Sequence, residues 1–319
     1  MKTIQSTIAV LLSAAILFAS CKKDSSSTNG HFTSVADFLN QNALAIQTFS
    51  VDAATGGSFT TPQGTVVTIP ANDFKLPSGS LATGNISVAF KDIYKKSDML
   101  FCDMPTTFNG SPLKSGGEFF ISAKAGDSLV QIVNKITVQQ PANGIAIDSM
   151  MKPFVGVVND SNSLQAVNWA NNQNQQTLID TLTFSPSGYV FSLYTFQEPV
   201  ATGTWCNSDN PYYFSAYPLT SLTLIDTANV NSMYISTSVF LVFKNINCMV
   251  HVYEGSGNSF PYAYAPQGLA CTVVAVAVDN SGNLNASFTP VTIGNNQTEN
   301  FGLAPITETD FKAKLTALN

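Results

Sequence analysis

The sequence predicts an all-β protein built from two β-sandwich blocks, with a short helix at each end. Short runs rich in Val, Ile, Phe and Tyr alternate with polar residues, as half-buried strands do. Turns marked by Gly, Pro, Asn and Asp separate these runs at regular intervals. Helical spacing of apolar residues occurs only near residues 33–48 and near the end of the chain. Short, regularly spaced strands of this kind suggest β-sandwiches.

The first 20 residues have the features of a cleaved secretory leader. Lys2 supplies a positive start, and an apolar run from Ile8 to Phe18 follows it, broken only by Ser13. At about 1.5 Å per helical residue, this run is too short to cross a membrane core of about 30 Å. Its length and flanks instead fit a signal peptide that is removed from the mature chain.

The residues at the end of the leader, Phe18-Ala19-Ser20-Cys21, resemble a bacterial lipobox, although Phe18 stands where Leu is usual. The resemblance implies that Cys21 is lipidated and becomes the first mature residue. The polar segment 21–32 is then predicted to be a flexible tether. Openings of the form Cys-Lys-Lys-Asp-Ser resemble those of Bacteroidetes lipoproteins, which implies an outer-membrane location. The sequence leaves open whether the domains face the periplasm or the cell exterior.

The charge pattern argues against nucleic acid as a partner. The formal net charge is −6, and lysine supplies all the positive charge because the chain contains no arginine. Bidentate recognition of phosphate groups favours arginine, and an acidic chain does not attract polyanions. The expected partners are therefore a membrane, reached through the lipid, and a glycan or another envelope protein. No cofactor is predicted.

Four cysteines remain once Cys21 is assigned to the lipid: Cys102, Cys206, Cys248 and Cys271. They could form disulfides with three possible connectivities, or remain buried thiols. Cys248 and Cys271 lie within apolar strand-like runs, which favours small buried side chains. No CxxC or Cys-His spacing is present, so no metal site is predicted.

The segment 33–48 is predicted to contain a helix that begins after Ser34 and extends to about Gln47. Strand patterns begin at residue 49. A hairpin is expected from Ser58 to Ile69, and Ile86, Val88 and Phe90 share one face of the next strand.

The runs Gly57–Thr61, Gly64–Ala71 and Gly84–Val88 resemble ZU5-type β-sandwiches of extracellular and envelope proteins. The likeness covers residues 49–140, and it implies a fold but no activity. Some ZU5 domains cleave themselves at a His-Phe-Ser step. His31-Phe32-Thr33 looks similar but precedes the domain, so we interpret it as coincidental.

Residues 141–200 either complete the first sandwich or form a small middle unit. Residues 201–319 are predicted to form a second sandwich with a terminal helix capped at Thr307. Segments Gly203–Asn207 and Val239–Asn247 resemble parts of Bacteroidetes envelope lipoproteins that also carry a ZU5-like block.

No catalytic residue is predicted. The two histidines, His31 and His251, are too few for a histidine-rich zinc site, and a Ser-His-Asp triad is not indicated. The sequence has no P-loop, GxSxG or HExxH motif. Carboxylates from distant strands could form a glycosidase-type site, so a hydrolase is kept as a third hypothesis.

The aromatic residues of the chain can be interpreted either as a sugar-binding surface or as part of the core. Trp169 and Trp205 could stack on sugar rings, and several tyrosines of the second half of the chain lie near predicted loops; alternatively, these rings pack in the core. Four three-residue motifs resemble the Asp-Ser/Thr-apolar sites that Bacteroidetes O-glycosylate, and their hydroxyl residues are Ser128, Ser149, Thr181 and Thr227.

The first functional hypothesis is a lipid-anchored envelope protein with a non-catalytic binding, adhesion or assembly role. The alternative is a surface glycan-binding lipoprotein of a nutrient uptake system.

Overall fold

A computed structural model describes residues 31–142, 147–157, 168–171, 179–185, 187–193, 203–228 and 233–319. It confirms the predicted all-β class, with several antiparallel sheets and short helices. The helices are α1 (Val35–Asn42), α2 (Lys96–Phe101) and α3 (Glu308–Thr316). None of the helices in these ranges is both long and apolar enough to cross a membrane.

The strands of the described residues follow in chain order. The first twelve are β1 (Gln47–Asp52), β2 (Gly57–Thr60), β3 (Val66–Ile69), β4 (Phe74–Lys75), β5 (Asn85–Ile93), β6 (Thr107–Phe108), β7 (Ser111–Pro112), β8 (Lys114–Ala125), β9 (Ser128–Leu129), β10 (Gln131–Ile132), β11 (Ile136–Pro141) and β12 (Lys152–Val157). The others are β13 (Asn168–Asn171), β14 (Ile179–Ser185), β15 (Gly188–Leu193), β16 (Thr204–Asn210), β17 (Leu219–Asp226), β18 (Tyr234–Phe243), β19 (Met249–Val252), β20 (Ser259–Pro266), β21 (Ala270–Asp279), β22 (Leu284–Thr292), β23 (Gln297–Phe301) and β24 (Ala304–Pro305).

The first sandwich packs a sheet of order β1-β5-β8-β16-β12-β13, with β9 added to β8, against a sheet of order β14-β15-β11-β3-β2. Apolar residues of both sheets fill its core, as the alternation of Ile86, Val88 and Phe90 predicted. Phe119 on β8 meets Phe191 on β15 edge to face, with ring centroids 5.0 Å apart. Interdigitation of this kind is what joins two sheets into one sandwich.

The sheet order divides the chain differently from the predicted boundaries. The described strands of the segment 141–200, β12 to β15, lie in the sheets of the first sandwich, which agrees with one of the two expectations for this segment. Strand β16 also belongs there, because it pairs with β8 on one side and β12 on the other. The boundary at residue 201 therefore moves beyond Asn210. The sequence of β16, Thr-Trp-Cys-Asn-Ser-Asp-Asn, is too polar to indicate a strand buried along its whole length.

The second sandwich packs a sheet of order β20-β17-β23 against a sheet of order β19-β18-β21-β22-β24. Its core joins Leu222 and Leu224 of β17 to Leu241, Val273 and Ala275 of the larger sheet. Strands β17 and β23 are parallel, so the chain must cross the sandwich between them.

A third apolar cluster connects the two sandwiches, and we call it the joint. It contains outer-face residues of both larger sheets together with residues of all three helices, among them Phe38, Phe101, Phe120, Trp205, Phe240, Val276 and Phe311. Backbone hydrogen bonds cross it, from Thr106 N to Met249 O and from Ser115 N to Asn247 O, both at 2.8 Å. The helices therefore fill the space between two sheets that each have apolar residues on both faces.

The N-terminal caps of helices α1 and α3 were correctly predicted from local sequence patterns. Ser34 Oγ accepts from Asp37 N at 3.0 Å, and Thr307 Oγ1 accepts from Asp310 N at 3.1 Å, as the capping patterns predicted. Helix α1 ends at Asn42 and does not extend to Gln47 as predicted, because Gln47 is the first residue of strand β1. The predicted tether also ends earlier, since Phe32 is buried in the joint and its N–H donates to Gly282 O at 3.0 Å.

The four described cysteines are free and buried. Cys206 lies in the first core, Cys248 and Cys271 lie in the second, and Cys102 lies in the joint. They act as small apolar residues, as expected for Cys248 and Cys271.

Candidate functional site

A cleft of about 830 Å³ opens where the two sandwiches meet. The turn between β18 and β19 forms one wall, and the ends of β21, β22 and the chain from residue 317 onward form another. Helix α2 contributes Lys96, strand β8 contributes Lys114, and Lys244 comes from the turn. Among the described residues that line this cleft, none is Asp or Glu. The charged side chains that line the cleft are therefore all lysines, in a chain whose overall charge is negative.

The wall at the β18–β19 turn is fixed to the first sandwich by hydrogen bonds. Asn245 adopts a left-handed conformation with φ of 60°, which turns the chain sharply after Lys244. Asn247 Nδ2 then donates to Tyr94 O and to Ser115 O, each at 3.1 Å. Because both sandwiches hold this turn, the width of the cleft depends on the joint.

Lys96 lies at the floor of the cleft, with only 5% of its surface exposed. Its Nζ donates to the carbonyl oxygen of Phe243 at 2.8 Å, which is its single hydrogen bond among the described residues. Burial lowers the pKa of Lys96, and the nearby Cys248 thiol opposes this only partly. An ammonium carries three donors, so this one keeps donor capacity toward the cleft.

The two other lysines of the cleft differ in their partners. Lys114 forms an ion pair with Asp148 at 2.9 Å and lies 5.0 Å from the centre of the Tyr213 ring. Lys244 is exposed. The charge of Lys114 is thus balanced by a carboxylate, whereas Lys96 has no carboxylate within ion-pair distance in the part of the chain that the structure describes.

A pair of buried acids, Glu118 and Asp209, lies on the neighbouring strands β8 and β16, and both are 0% exposed. Asn207, opposite Glu118, donates from Nδ2 to Asp209 Oδ2 at 2.7 Å. Both oxygens of Glu118, and Oδ1 of Asp209, accept no hydrogen bond from the described residues. Burial raises the pKa of Glu118 well above its ordinary value, and Asp209 raises it further. Burial likewise raises the pKa of Asp209, against hydrogen bonds from Ser115 and Asn207.

Two glycines before Glu118 let aromatic rings lie against the strand. A Cβ on Gly116 would meet the ring of Tyr189 at 2.6 Å, and one on Gly117, whose φ is 124°, would meet the ring of Tyr94. A β-bulge between Asn207 and Asp209 changes the register at the same place. Bulges re-aim side chains, and here the bulge leaves Asp209 on the side of Asn207.

A second polar group, around Asp92, is fully hydrogen-bonded. Asp92 accepts from Thr61 Oγ1 at 2.6 Å, from Thr65 Oγ1 at 2.5 Å and from Gln63 Nε2 at 3.1 Å. The Thr65 hydroxyl also bonds the Tyr94 hydroxyl at 2.5 Å. Because its partners are satisfied within the fold, this group ties the β2–β3 hairpin to β5 and leaves no donor capacity for a ligand.

His251 forms a pair with Asp103, with Nδ1 and Oδ1 2.8 Å apart. Its ring stacks on Tyr253 with centroids 4.4 Å apart and lies against Phe240 at 4.5 Å. No described hydroxyl or thiol hydrogen-bonds to His251, so the pair lacks the nucleophile that a triad needs. His31 lies against Gly282 at the β21–β22 turn.

The two tryptophans considered for sugar stacking, Trp169 and Trp205, are buried, which agrees with the alternative interpretation that these rings pack in the core. Trp169 is 1% exposed, and its Nε1 donates to Pro105 O at 2.9 Å. Trp205 is 3% exposed and packs on Phe120, with ring centroids 5.4 Å apart. Neither ring has a face open to a ligand, because the joint covers this side of the sheet. Trp169 lies in strand β13, although its neighbours in the sequence are polar.

The predicted modification residues are placed only in part. Ser128 and Ser149 are exposed, the first in β9 and the second in a turn. Thr227 is exposed, and its hydroxyl donates to Phe301 O at 3.0 Å. The side chain of Thr181, and Cys21 with its leader, lie outside what the structure describes. These residues are scattered over the fold and form no common site.

No group of three or more His, Cys, Asp or Glu side chains that could hold a metal ion occurs in the described ranges. No model of a known protein family matches the chain, and no curated protein matches it either. The site must therefore be interpreted from its own chemistry.

Sequence reasoning did not find Lys96, Glu118 or Asp209. The alternation in β8 places Glu118 on the face opposite Phe119, which reads as a solvent-exposed position. The joint covers that face of the sheet, and the position is therefore buried. Lys96 is the second residue of the pair Lys95-Lys96, which follows the end of a strand, and adjacent lysines at such a position are usually exposed to solvent.

Proposed function

We propose that this chain is a lipid-anchored protein of the cell envelope that binds its ligand without catalysis, in the cleft between the two sandwiches. The observation that supports the proposal is the cleft itself, because both sandwiches build it and the buried Lys96 lies at its floor. A pocket with few polar groups placed by a rigid scaffold is the usual form of a ligand site.

The joint favours binding because it holds the cleft walls before a ligand arrives. The β18–β19 turn is bonded to the first sandwich through Asn247, and Lys96 reaches across to Phe243 O. A preformed site loses less conformational entropy on binding than one that must be ordered. An assembly or adhesion role fits the same geometry, with a segment of another envelope protein as the ligand.

The proposed location depends on the leader. A lipid on Cys21 would hold the chain at the membrane, with the residues up to about 30 as a tether. The ZU5-like and Bacteroidetes resemblances support an outer-membrane protein. Glycan binding in a nutrient uptake system is the second candidate, and the amide and hydroxyl side chains of the cleft favour it over a purely structural role.

The test blocks the cleft with a bulky side chain. Thr272 is half-buried in β21 and lines the cleft, so Thr272→Trp should abolish retention of the protein on a glycan array and on purified envelope fractions. Thr223→Trp is the matched control, because Thr223 is half-buried in β17 of the other sheet.

Equal retention of the two variants would remove the cleft as the binding site, and turnover of any bound glycan would contradict a non-catalytic role. Mass measurement of the mature N-terminus checks the lipid on Cys21, and protease treatment of intact cells shows which side of the outer membrane the domains occupy.

A further inference from the structure

We propose that the cleft recognises a singly charged carboxylate on a hydroxyl-bearing ligand, such as a sugar acid, and that Lys96 is its counter-charge. This inference rests on the proposed function, because it names the ligand class of the same cleft. The argument depends on the hydrogen bonding of Lys96, on the charges around it, and on the polar side chains of the cleft walls.

The first step is that the buried ammonium of Lys96 has too few hydrogen-bond acceptors. Its ammonium is removed from bulk water, since only 5% of the residue is exposed, and it donates to one carbonyl oxygen at 2.8 Å. A buried charge is costly unless an opposite charge or several hydrogen bonds balance it. The described residues supply a single hydrogen-bond acceptor to the Lys96 ammonium, so a bound anion would supply the missing acceptors and the opposite charge.

The second step concerns the ionisable groups of the cleft and of the strands beside it. Cys248, in the core of the second sandwich, has its pKa raised by burial, so its thiol is neutral. The acids Glu118 and Asp209 are buried and have raised pKa values, which favours their neutral forms. Lys114 is paired with Asp148, and Lys244 adds positive charge at the mouth. In the part of the chain that the structure describes, no Asp or Glu side chain lies within ion-pair distance of Lys96.

The third step is the choice of carboxylate over phosphate. Dianionic phosphate groups are usually held by arginines or by several backbone N–H donors, and this chain has no arginine. A single ammonium with two remaining donors matches a singly charged group with two oxygens. The net charge of −6 also opposes a highly charged ligand at long range.

The fourth step is the polar lining. Asn245, Thr272 and Thr292 line the cleft, and their side chains make no hydrogen bond within the described residues. Asn247 and Asn319 also line it, but their side chains are engaged with the Tyr94 and Ser115 carbonyls and with Ser97, respectively. Three available amide and hydroxyl groups around one ammonium suit a ligand that carries both a carboxylate and hydroxyls.

The experiment titrates the full mature chain with D-galacturonate and with its neutral twin, D-galactose, by following backbone amide signals in NMR spectra. We expect the signals of Asn245 and Thr272 to shift with galacturonate, and galactose to bind at least tenfold more weakly. N-acetylalanine presents a carboxylate without sugar hydroxyls, and inorganic phosphate presents a different anion, so both should bind more weakly than galacturonate.

Lys96→Met should weaken galacturonate binding at least tenfold while its melting temperature stays at or above the wild-type value, because an uncompensated buried charge is removed. Lys124→Gln is the control, since Lys124 is an exposed lysine ten residues along β8 from Lys114, about 30 Å away. It should bind galacturonate as the wild type does.

Equal binding of galactose and galacturonate, or unchanged binding by a folded Lys96→Met protein, would overturn the carboxylate assignment. Tighter binding of phosphate or N-acetylalanine than of galacturonate would overturn the sugar-acid class. If Thr272→Trp still loses the ligands found on the array in any of these cases, the cleft keeps its binding role and only the ligand class is wrong.

Discussion

Glu118 shows how one residue can make a fold depend on pH. Its carboxyl group is fully buried, and neither oxygen accepts a hydrogen bond from the described residues. In the unfolded chain the pKa of a glutamate is about 4.3, and in this fold it is raised. Folding therefore takes up a proton once the pH exceeds the unfolded value. The free energy of unfolding is highest in acid and falls as the pH rises through the folded pKa.

Glu118→Gln should raise the free energy of unfolding at pH 7 by about 1–3 kcal/mol, since it removes the cost of keeping the acid neutral. It should also flatten the decrease in stability between about pH 4 and neutral pH. Urea denaturation across this pH range measures both effects. Glu254→Gln, at an exposed position, is the control and should change stability by less than about 0.5 kcal/mol. A wild-type protein whose stability does not vary over this range would contradict the assignment.

For single residues, the sequence predicts those structural roles that depend on residues close by in the chain. Ser34 and Thr307 could be assigned as caps because their partners lie three residues away. The burial of Glu118 and Trp169 could not be predicted, because the strands and loops that cover them come from distant parts of the chain.

Among the elements, α2 depends most on distant residues. It has six residues, and its N-cap position, Lys95, makes no capping hydrogen bond with its side chain. Asn319 supplies the cap instead: its Oδ1 accepts from Ser97 N at 2.9 Å, and its Nδ2 donates to Ser97 Oγ at 2.9 Å. A helix this short is not stable alone, so the cap and the joint decide whether it forms.

Asn319→Ala should lower the free energy of unfolding by about 0.5–2 kcal/mol and speed hydrogen exchange at the Ser97 amide. Asn319→Asp keeps an acceptor for Ser97 N and should restore most of that loss. Denaturation curves and amide exchange measured on the same samples test both. Unchanged exchange at Ser97 in the alanine variant would show that α2 forms without this cap.

Element prediction succeeded where turn residues and alternation agreed, as in the β2–β3 and β14–β15 hairpins. It missed β16 because four of its seven residues are Asn, Ser or Asp, and it missed β20 because the strand contains two prolines. Both strands are defined by their neighbours in the sheet, and a single sequence does not show those neighbours.

For the whole molecule, the joint makes two sandwiches behave as one cooperative unit. Phe38 is at its centre, with ring centroids 5.1 Å from Phe32, 5.9 Å from Phe101 and 5.2 Å from Phe311. Edge-to-face aromatic pairs add to the free energy of apolar burial. Because all three helices meet at this residue, the loss of its ring should weaken the coupling between the sandwiches.

Phe38→Ala should lower the free energy of unfolding by about 3–5 kcal/mol, the usual cost of removing a buried phenyl ring. It should also broaden or split the calorimetric transition, which we expect to be single in the wild type. Phe59→Ala removes a half-buried ring from the edge strand β2 and serves as the control. It should cost less and leave one transition. Two separate transitions in the wild type would contradict coupling through the joint.

The position of β16 has a consequence for the time at which the protein can fold. This strand lies in the middle of the first sheet, yet Thr204 follows the end of its neighbour β8 by 79 positions. A ribosome adding about 5–20 residues per second needs roughly 4–16 s to supply that stretch. Throughout this interval β8 has an unpaired edge with Glu118 open to water, and unpaired edges recruit other strands. The nascent chain therefore passes through a period of aggregation risk that ends only when Asn210 has been made.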